Sequence, residues 1–496
     1  MSAIEIWNPA TGERIGSVER TPLGEIAGLV ARARKYQRTW GHLSFGERAE
    51  VVRRFHDLVI DRSGEVLDAI QSETGKSRRD ALAELVTVAG TARYYLAHGK
   101  GFLSAQRKRG AIPLLTHSSL EHRPHGVVGL IVPWNYPFLL SAGDAIPALL
   151  AGNAVILKPS DVTPFSAALC KTLLEKSGIH PDLLGIVQGG ADAGAELIRQ
   201  VDYVGFTGSS ANGRKVAVAA AERLIPFSLE LGGKNPMIIL KDAPLEQAAE
   251  GLVAGAFSNA GQTCISIERV YIESSVFDRF ARLVADRTNA LKLGWSRSFD
   301  IDVGSMIHPA HAAKVQETIE AAVRAGASAL AGAKRRSDLG PAFVEPTVLT
   351  QVDRRAPIAI EETFGPVVSL HRVESREEAI ALANDSQYGL NASVWAGGTA
   401  PAMEIARQLE AGSVAINSTL MIYNAFDLPM GGIKQSGIGR RHAEHGILRY
   451  TQAQSIVRSF ESGGGYDSML GRIRSDKMAA AMLKVVRLWR RIPGIR

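Results

Sequence analysis

One of the two cysteines in the sequence lies in a polar segment of small residues, NAGQTCIS (259–266). A thiol is nucleophilic as its thiolate, and an open, polar or electropositive setting favours that form. The small residues before Cys264 would also let the backbone approach a bound ligand closely. A cysteine before Ile-Ser-Ile can equally be a small core residue, so this segment alone leaves both interpretations open. Cys170 lies in the amphipathic helical pattern FSAALCKTLLEKSG (165–178) and is interpreted as structural.

A covalent reaction at a thiol needs a base and hydrogen-bond donors for an oxyanion. Glu230, in SLELGGKNP (228–236), has apolar neighbours, which raise the pKa of a carboxyl group toward the range that suits a general base. Asn135, in PWNYP (133–137), stands between two rigid prolines, and a fixed amide can stabilise an oxyanion by about 3 kcal/mol. Taken singly, Glu230 is equally a residue at a strand end and Asn135 a turn residue.

Two glycine-containing segments bear on phosphate binding. FTGSSANG (206–213) follows a predicted strand and opens a predicted helix, whose N-terminus behind Gly208 and Ser209 could hold a pyrophosphate. Its spacing is not G-x-G-x-x-G, so the dinucleotide signal is weak. SETGKS (72–77) resembles the end of a P-loop, but Ile70 stands where that motif requires its first glycine, which excludes it.

Short β-rich runs alternate with helical patterns around these residues. The strand-like runs are GVVGLIVP (126–133), AVILKPS (154–160), YVGFTGS (203–209) and PMIIL (236–240). Alternation at this spacing predicts βαβ units and a mostly parallel, doubly wound sheet. A second series after Cys264 predicts a second α/β domain. The apolar stretch 125–143 approaches transmembrane length, but its prolines, glycines and asparagine predict a buried strand followed by a loop.

Length and composition indicate a soluble globular protein. The chain has 496 residues, 46% of them hydrophobic and 22% charged, and a chain of this length predicts two domains of roughly 200 residues. Two cysteines suggest a reducing compartment, and residues 1–30 contain no secretory signal, so we expect a cytoplasmic protein. The formal net charge is +7, and residues 470–496, with eight Lys or Arg against Asp476, carry all of it. No basic face for nucleic acid is therefore expected on the body of the protein.

The basic C-terminal segment predicts an amphipathic helix from Ser475. Met478, Met482, Val485, Trp489 and Ile492 form one apolar stripe, and most basic residues fall outside it. Such a helix could dock on the parent chain or on a partner subunit. It could also lie on an anionic membrane surface through 475–492. SGGGYDS (462–468) is interpreted as a hinge before it.

The motifs, taken together and in order, show a family resemblance that no single motif shows. PWNYP, LKPS, FTGS, LELGGKNP, GQTC, EETFGPV and PMGGIKQSGIGR together resemble the NAD(P)-dependent aldehyde dehydrogenase superfamily, from NPATGE (8–13) to about residue 460. The interval of 34 residues between Glu230 and Cys264 is also that of the family. The resemblance implies that Cys264 attacks the aldehyde, that Asn135 and the Cys264 backbone N–H hold the oxyanion, and that Glu230 activates water to hydrolyse a thioester.

The same resemblance implies a cofactor site and no metal site. Its expected residues are Pro133, Trp134, Lys158, Ser160, Asp161, Gly208, Ser209, Leu231, Glu362 and Phe364. A carboxylate at Asp161 can bond the 2′-hydroxyl of the adenosine ribose and would repel a 2′-phosphate, which favours NAD. Asp is shorter than the Glu of many relatives, and Lys158 with Ser160 could still accept NADP.

Within the superfamily, the sequence is most similar to a bacterial group of succinate-semialdehyde dehydrogenase-like enzymes. Enzymes for that substrate carry an arginine in the helix after the asparagine loop. Here the stretch FLLSAGDAIPAL (138–149) contains Asp144 and no cation, and an unpaired Asp144 would disfavour a carboxylate substrate. An apolar aliphatic or aromatic aldehyde would suit the side chains expected nearby, which are Phe138, Leu139, Ile265 and Met430. Both substrate classes stay open.

Two other functions share this fold. A CoA-acylating dehydrogenase typically lacks the general-base glutamate, so Glu230 argues against it. A non-catalytic scaffold would lack Cys264, Glu230 or Asn135, all of which are present.

The resemblance implies three parts and an oligomer, and the C-terminal sequence adds a fourth part. The expected parts are a Rossmann-like cofactor domain (1–101 and 121–232), an α/β catalytic domain (233–447), oligomerisation strands (102–120 and 448–460), and a linker with the basic tail (461–496). Because an exposed edge strand is usually covered by a partner, we expect a homodimer or a dimer of dimers.

Overall fold

The computed structural model describes residues 3–110, 116–459, 471 and 473–489. The strands are β1 (Ala3–Trp7), β2 (Arg14–Glu19), β3 (Gln106–Lys108), β4 (Thr116–Pro124), β5 (Val127–Ile131), β6 (Ala154–Lys158), β7 (Leu184–Ile186), β8 (Tyr203–Thr207), β9 (Phe227–Glu230), β10 (Asn235–Ile239), β11 (Ile267–Glu273), β12 (Ser328–Ala331), β13 (Thr347–Thr350), β14 (Val367–Val373), β15 (Tyr388–Gly389), β16 (Asn391–Trp395), β17 (Ser413–Ile416), β18 (Ile433–Lys434), β19 (Gly437–Ile438) and β20 (Thr451–Ser459).

The helices alternate with these strands over most of the chain. They are α1 (Leu23–His42), α2 (Phe45–Asp61), α3 (Ser63–Thr74), α4 (Arg78–Leu103), α5 (Pro137–Leu150), α6 (Pro164–Lys176), α7 (Ala191–Gln200), α8 (Ser210–Glu222), α9 (Leu245–Phe257), α10 (Phe277–Asn289), α11 (Pro309–Arg324), α12 (Pro357–Ile360), α13 (Arg376–Asn384), α14 (Thr399–Ala406), α15 (Ala443–Leu448) and α16 (Asp476–Trp489).

The first large sheet has six strands in the order β19-β9-β8-β5-β6-β7. Its neighbours pair in parallel except for β19, which is antiparallel to β9. Counted along the chain from β5, the five parallel strands have the order 3-2-1-4-5, which is that of a dinucleotide-binding sheet. In such sheets the ligand binds at the carboxyl ends of the strands, where the order reverses, here beside β5 and β8. The observed strands and helices confirm the predicted α/β fold class.

Continuous apolar runs form the interior of this sheet. Residues 154–157 of β6 are fully buried, and so are Val127, Val128 and Leu130 of β5. Strands covered by helices on both faces have this pattern, because neither face meets water. The loop predicted after β5 is shorter than expected, since helix α5 begins at Pro137. Proline suits the first turn of a helix because it has no N–H to leave unpaired there.

The second large sheet has seven strands in the order β12-β13-β14-β11-β10-β16-β17. All neighbours are parallel except β12, which is antiparallel to β13. Helices α9, α10 and α11 contribute Leu252, Phe280, Val284 and Ile319 to a core of buried aliphatic and aromatic residues on one face of this sheet. Across the described residues, no helix is both long enough and apolar enough to cross a membrane.

The chain divides into two compact units. One comprises Met1–Phe102 and Pro124–Thr451 and contains both large sheets. The other comprises Leu103–Arg123 and Gln452–Arg496, and its described part holds most of the three-stranded sheet β20-β4-β3 together with α16. Helix α16 agrees with the helix predicted from Ser475, and its Met478 and Val485 are exposed. The predicted hinge at 462–468 lies outside the described residues, as does Ile492 at the end of the predicted stripe.

Candidate active site

The carboxyl ends of β5, β8 and β9 and the segment before β11 meet at a cavity of about 380 Å³. All three predicted catalytic residues line this cavity: Asn135, Glu230 and Cys264. Of the predicted cofactor-binding residues, those that line it are Pro133, Trp134, Gly208, Ser209, Leu231, Glu362 and Phe364. Lys158, Ser160 and Asp161 do not line it and instead follow the neighbouring strand β6.

Backbone strain explains why Cys264 follows small residues. Asn259, Ala260 and Gly261 have φ values of 52°, 53° and 69°, in the left-handed region. A Cβ atom on Gly261 would collide with the backbone of the facing loop. Such conformations are costly for residues with side chains and concentrate at functional sites. The small residues therefore permit a sharp turn that directs the chain at Cys264 to the cavity.

Asn135 is held by hydrogen bonds to both its side chain and its main chain. Its amide Nδ2 donates to the carbonyl oxygen of Gln262 at 3.0 Å. Its main-chain carbonyl accepts from Lys76 Nζ at 2.6 Å and from Asn259 Nδ2 at 3.0 Å. An amide nitrogen carries two hydrogens, so one N–H of Asn135 remains for a ligand in the cavity. The amide is thus pre-oriented by the turn that precedes Cys264.

Lys76 and Glu84 position this asparagine loop, and sequence reasoning missed both. They form an ion pair at 2.6 Å, with side chains 1% and 0% exposed. The second carboxylate oxygen of Glu84 accepts the N–H groups of Phe138 and Leu139, at 3.1 and 3.0 Å, in the first turn of α5. Lys76 belongs to the segment SETGKS, whose interpretation as a P-loop was excluded. Its partners lie 8 and 59 residues away along the chain, so no local signal could have revealed them.

Glu230 ends β9 and is buried beside the cavity. Burial raises the pKa of its carboxyl group to about 7, although Arg441 and Arg449 act in the opposite direction. Its Oε1 atom is buried and finds no hydrogen-bond partner among the described residues. A carboxyl group that is half ionised at neutral pH and free to accept a proton has the properties of a general base.

Asp144 is paired, contrary to the expectation from the sequence. Its carboxylate accepts from Arg441, at 2.7 Å to Nη2 and 3.1 Å to Nε, and from Arg449 Nη2 at 2.6 Å. Burial alone would raise the pKa of Asp144, but the two arginines lower it. The prediction failed because both partners lie about 300 residues further along the chain, where local sequence gives no sign of the contact.

Arg441 therefore brings a cation to the cavity, which it lines together with Thr207. Its Nη2 also donates to Thr207 Oγ1 at 2.6 Å. Two arginines against one aspartate leave this buried cluster with a net positive charge. The stretch 138–149 contains no cation, as the sequence shows, and the cation on the cavity wall comes instead from a distant part of the chain.

Aromatic and acidic side chains form the wall on the proposed nicotinamide side. The rings of Trp134 and Phe364 meet edge to face, with centroids 5.4 Å apart. Glu362 accepts the N–H of Gly233 at 2.9 Å, and burial raises its pKa to about 8. The carboxyl group of Glu362 could bond ribose hydroxyls, while the rings of Trp134 and Phe364 contact a flat heterocycle such as nicotinamide.

The predicted diphosphate and adenosine-ribose residues also fit a dinucleotide. Ser209 is the N-cap of α8, as predicted, and its hydroxyl accepts the N–H of Asn212 at 3.4 Å. The N-terminus of this helix faces the carboxyl end of β8, where a phosphate group would be stabilised. After β6, the Oδ1 atom of Asp161 is buried and lacks a hydrogen-bond partner among the described residues. An orphaned carboxylate oxygen of this kind suits a ribose hydroxyl donor.

Known proteins resemble this chain over nearly its whole length. A protein of Mycolicibacterium smegmatis, provisionally named succinate-semialdehyde dehydrogenase (NADP+), is 42% identical over 486 residues, which cover 98% of this chain and 93% of that protein. A solved structure described as an E. coli NADP-dependent enzyme has a TM-score of 0.89 at 32% identity and covers 92% of this chain and 95% of its own. A Mycobacterium tuberculosis aldehyde dehydrogenase complexed with NAD+ has a TM-score of 0.87 at 33% identity, covering 92% and 94%.

The model of the aldehyde dehydrogenase family matches residues 1–456. The chain belongs to the aldehyde dehydrogenase family. The resemblance drawn from the motifs is thereby confirmed, and the protein is an NAD(P)-dependent aldehyde dehydrogenase.

Burial dominates the electrostatics of Cys264 in this aldehyde dehydrogenase. Burial raises the pKa of Cys264 to about 12, against the opposing charge of Arg441. The thiol needs a proton acceptor to become a nucleophile, and Glu230 lines the same cavity with a pKa of about 7. The electropositive setting expected for the thiol is present in Arg441, but desolvation outweighs it. Cys170 is fully buried in α6, in agreement with its structural interpretation.

The apolar lining of the aldehyde dehydrogenase cavity differs partly from the prediction. Leu139 and Ile265 line the cavity as expected, together with Leu140. Phe138 and Met430 do not line it and are instead 0% and 2% exposed within the protein. Phe138 fills the core because it is the second residue of α5, where its side chain turns away from the cavity that Leu139 reaches.

Proposed function

We propose that this enzyme oxidises an aldehyde to a carboxylic acid through a covalent adduct on Cys264. The convergence of Cys264, Glu230 and Asn135 on one cavity supports this proposal. Glu230 takes the thiol proton, and the sulfur then adds to the carbonyl carbon to form a thiohemiacetal. The Asn135 amide and the Cys264 backbone N–H donate to the developing oxyanion. Bound NAD(P) supplies the acceptor for the hydride that leaves this carbon.

The second half of the proposed reaction is hydrolysis of the resulting thioester. After Glu230 has released the thiol proton to solvent, it takes a proton from water, the hydroxyl adds to the acyl carbon, and the thiolate of Cys264 leaves with the carboxylic acid as product. The buried, unpartnered Oε1 of Glu230 supports this role. In a CoA-acylating relative the thioester would pass to CoA, and no carboxyl group would be needed to activate water for hydrolysis.

The proposed cofactor site spans the six-stranded sheet. Ser209 would hold the pyrophosphate with Gly208, and Asp161 would bond the adenosine ribose with Lys158 and Ser160. Glu362 would hold the nicotinamide ribose, while the apolar walls come from Pro133, Trp134, Leu231 and Phe364. Residues 1–101 and 121–232 would then form the cofactor domain and 233–447 the catalytic domain.

For the substrate, we propose a short aldehyde with a carboxylate at its far end, such as succinate semialdehyde. The M. smegmatis relative bears the name of that activity, and Arg441 provides a cation on the cavity wall. An apolar aliphatic or aromatic aldehyde is the second candidate, favoured by Leu139 and Ile265. Comparing kcat/KM for succinate semialdehyde, decanal and benzaldehyde, each with NAD and NADP, decides between them. A preference for decanal of tenfold or more would overturn the first candidate.

The covalent step is tested at the cysteine itself. Cys264→Ala should abolish aldehyde oxidation while NAD(P) still binds, as followed by quenching of tryptophan fluorescence. Cys170→Ala is the matched control, because that thiol is buried in α6 away from the cavity, and its variant should keep full turnover. Retained oxidation by Cys264→Ala would refute the mechanism.

The second compact unit is proposed to serve assembly and membrane contact. Strands β3, β4 and β20 form a small sheet whose edge a second copy could extend, giving a homodimer or tetramer. Helix α16 exposes apolar residues, among them Leu483 and Val486, and carries Lys477, Lys484 and Arg487. A basic amphipathic helix of this kind suits the surface of an anionic membrane.

A further inference from the structure

Asp161 marks the ribose end of the proposed cofactor site. Strand β6 is the second strand of the 3-2-1-4-5 sheet, and in such sheets the group after this strand contacts the adenosine ribose. Lys158 is the last residue of β6, and its Nζ lies 3.7 Å from Asp161 Oδ1. Asp161 supplies a buried acceptor without a donor among the described residues, so a ribose hydroxyl fits here.

A second cation, Arg20, borders the same space and was missed by sequence reasoning. Its Nη2 lies 3.9 Å from Asp161 Oδ2. The backbone next to it is fixed, because Thr21 N–H donates to the carbonyl of Gln188 and Thr21 Oγ1 accepts the Gln188 N–H, both at 2.9 Å. A Cβ atom on Gly190 would lie 3.8 Å from Asp161 Oδ2 and 3.9 Å from Arg20 Nη1. The glycine turn, the carboxylate and the guanidinium therefore enclose one small space.

The guanidinium of Arg20 is free to bind a ligand. Within the described part of the chain it donates no hydrogen bond, and its side chain is 43% exposed. An arginine presents five N–H donors in a plane, a geometry that matches the oxygens of a phosphate group. At 3.9 Å, the contact between Arg20 and Asp161 is an ion pair but too long for a hydrogen bond. Arg20 could therefore bind a ligand without breaking a hydrogen bond to Asp161.

The charges around this space balance only because Arg20 is present. Arg20, Asp161 and Asp192 all act on Lys158, so two cations face two carboxylates. A phosphate monoester carries a charge of about −1.5 to −2 at neutral pH. Without Arg20 the site would have a net negative charge and would repel a 2′-phosphate. With Arg20 present, the 2′-phosphate of NADP gains a cationic partner, and Asp161 is left with the 3′-hydroxyl of the ribose as its hydrogen-bond donor.

We infer that Arg20 is the specificity-determining residue that lets the ribose site accept NADP as well as NAD. It would bind the 2′-phosphate of NADP directly, and with NAD it would remain beside Asp161. This inference rests on the proposed location of the adenosine ribose at Lys158 and Asp161. The residue that distinguishes NADP from NAD would then lie outside the six-stranded sheet, at the end of the small β1–β2 sheet.

The test measures binding of two cofactors and two fragments by calorimetry. Wild type, Arg20→Gln and Arg20→Lys are titrated with NAD, NADP, 5′-AMP and adenosine 2′,5′-bisphosphate. The control is Arg14→Gln, because Arg14 begins the strand β2 that Arg20 follows and pairs with Glu5, away from the ribose site. Arg20→Gln should weaken NADP and adenosine 2′,5′-bisphosphate by about tenfold or more, the scale of a lost charge-assisted contact. NAD and 5′-AMP should change by less than about twofold, since Asp161 retains the hydroxyl contact.

The remaining measurements distinguish a failure of the Arg20 inference from a failure of the proposed cofactor site. Arg20→Lys should restore part of the NADP affinity, because it keeps the charge and loses the planar donor set. Equal effects of Arg20→Gln on NAD and NADP, or no effect on either, would overturn the inference. A wild-type protein that binds NAD and not NADP would also overturn it. A wild-type protein that binds neither would instead refute the cofactor site under the proposed function.

Discussion

Replacing Arg441 should move the pH dependence of turnover, because this cation lowers the pKa of the proposed base. Burial raises the pKa of Glu230 to about 7, and among the opposing charges Arg441 acts most strongly. The carboxylate is the active form of a general base, so the rate rises as pH passes through this pKa. Removing the cation favours the neutral acid and therefore raises the pKa. The rate profile of Arg441→Gln should shift to higher pH.

The size of the effect follows from the ionised fraction. At pH 7 a carboxyl group of pKa about 7 is half ionised. Loss of one nearby opposite charge shifts a pKa by about one unit or more, which leaves about one-tenth of the groups ionised at pH 7. When hydrolysis limits the rate, kcat of Arg441→Gln should fall about fivefold at pH 7 and approach the wild-type value near pH 9.

The assay records steady-state formation of reduced cofactor between pH 6 and 9 at saturating substrate. Arg441→Lys keeps the charge and should return the profile toward that of wild type. Arg440→Gln is the neighbouring control, since Arg440 has the weakest of the named influences on Glu230 and should leave the profile nearly unchanged. An Arg441→Gln profile that coincides with wild type, or that shifts to lower pH, would refute the reasoning.

Three further changes test other parts of the molecule. Glu230→Gln should leave a burst of reduced cofactor followed by slow turnover, because hydride transfer precedes hydrolysis; an unchanged steady state would contradict the role of the base. Lys76→Met should lower the free energy of unfolding by about 3–5 kcal/mol, since it leaves Glu84 buried without its cation. Denaturant unfolding measures this against the exposed Lys215→Met, and a loss below about 1 kcal/mol would show that the buried pair is not needed. Deletion of 469–496 should leave activity in solution intact and abolish binding to phosphatidylserine vesicles at low salt; wild-type protein that ignores such vesicles would rule out membrane contact.

Motif order and hydrophobic pattern gave the family and most of the elements. The runs at 126–133, 154–160 and 203–209 became β5, β6 and β8, because buried parallel strands need continuous apolar residues. Periodicity failed at 137–143, where the fixed proline was interpreted as a loop signal although it opens α5. Glu84 caps that helix from another part of the chain, and a cap supplied from a distance leaves no local pattern.

The charged contacts of the site could not be predicted from local motifs. Asp144, Arg441 and Arg449 meet only because α5 packs beside the C-terminal end of the larger unit. Arg20 reaches Asp161 from the end of β2 in the same way. Neither contact has a fixed spacing in sequence, since each depends on how whole elements are arranged.

The sequence by itself indicated the family through the order of its motifs. The resemblance in turn named the NAD(P) cofactor and the candidate residues Cys264, Glu230 and Asn135. Only the tertiary structure decided their proton affinities and their charged surroundings. Desolvation and Coulomb interaction depend on distance through space, and the groups that dominate them here come from remote parts of the chain.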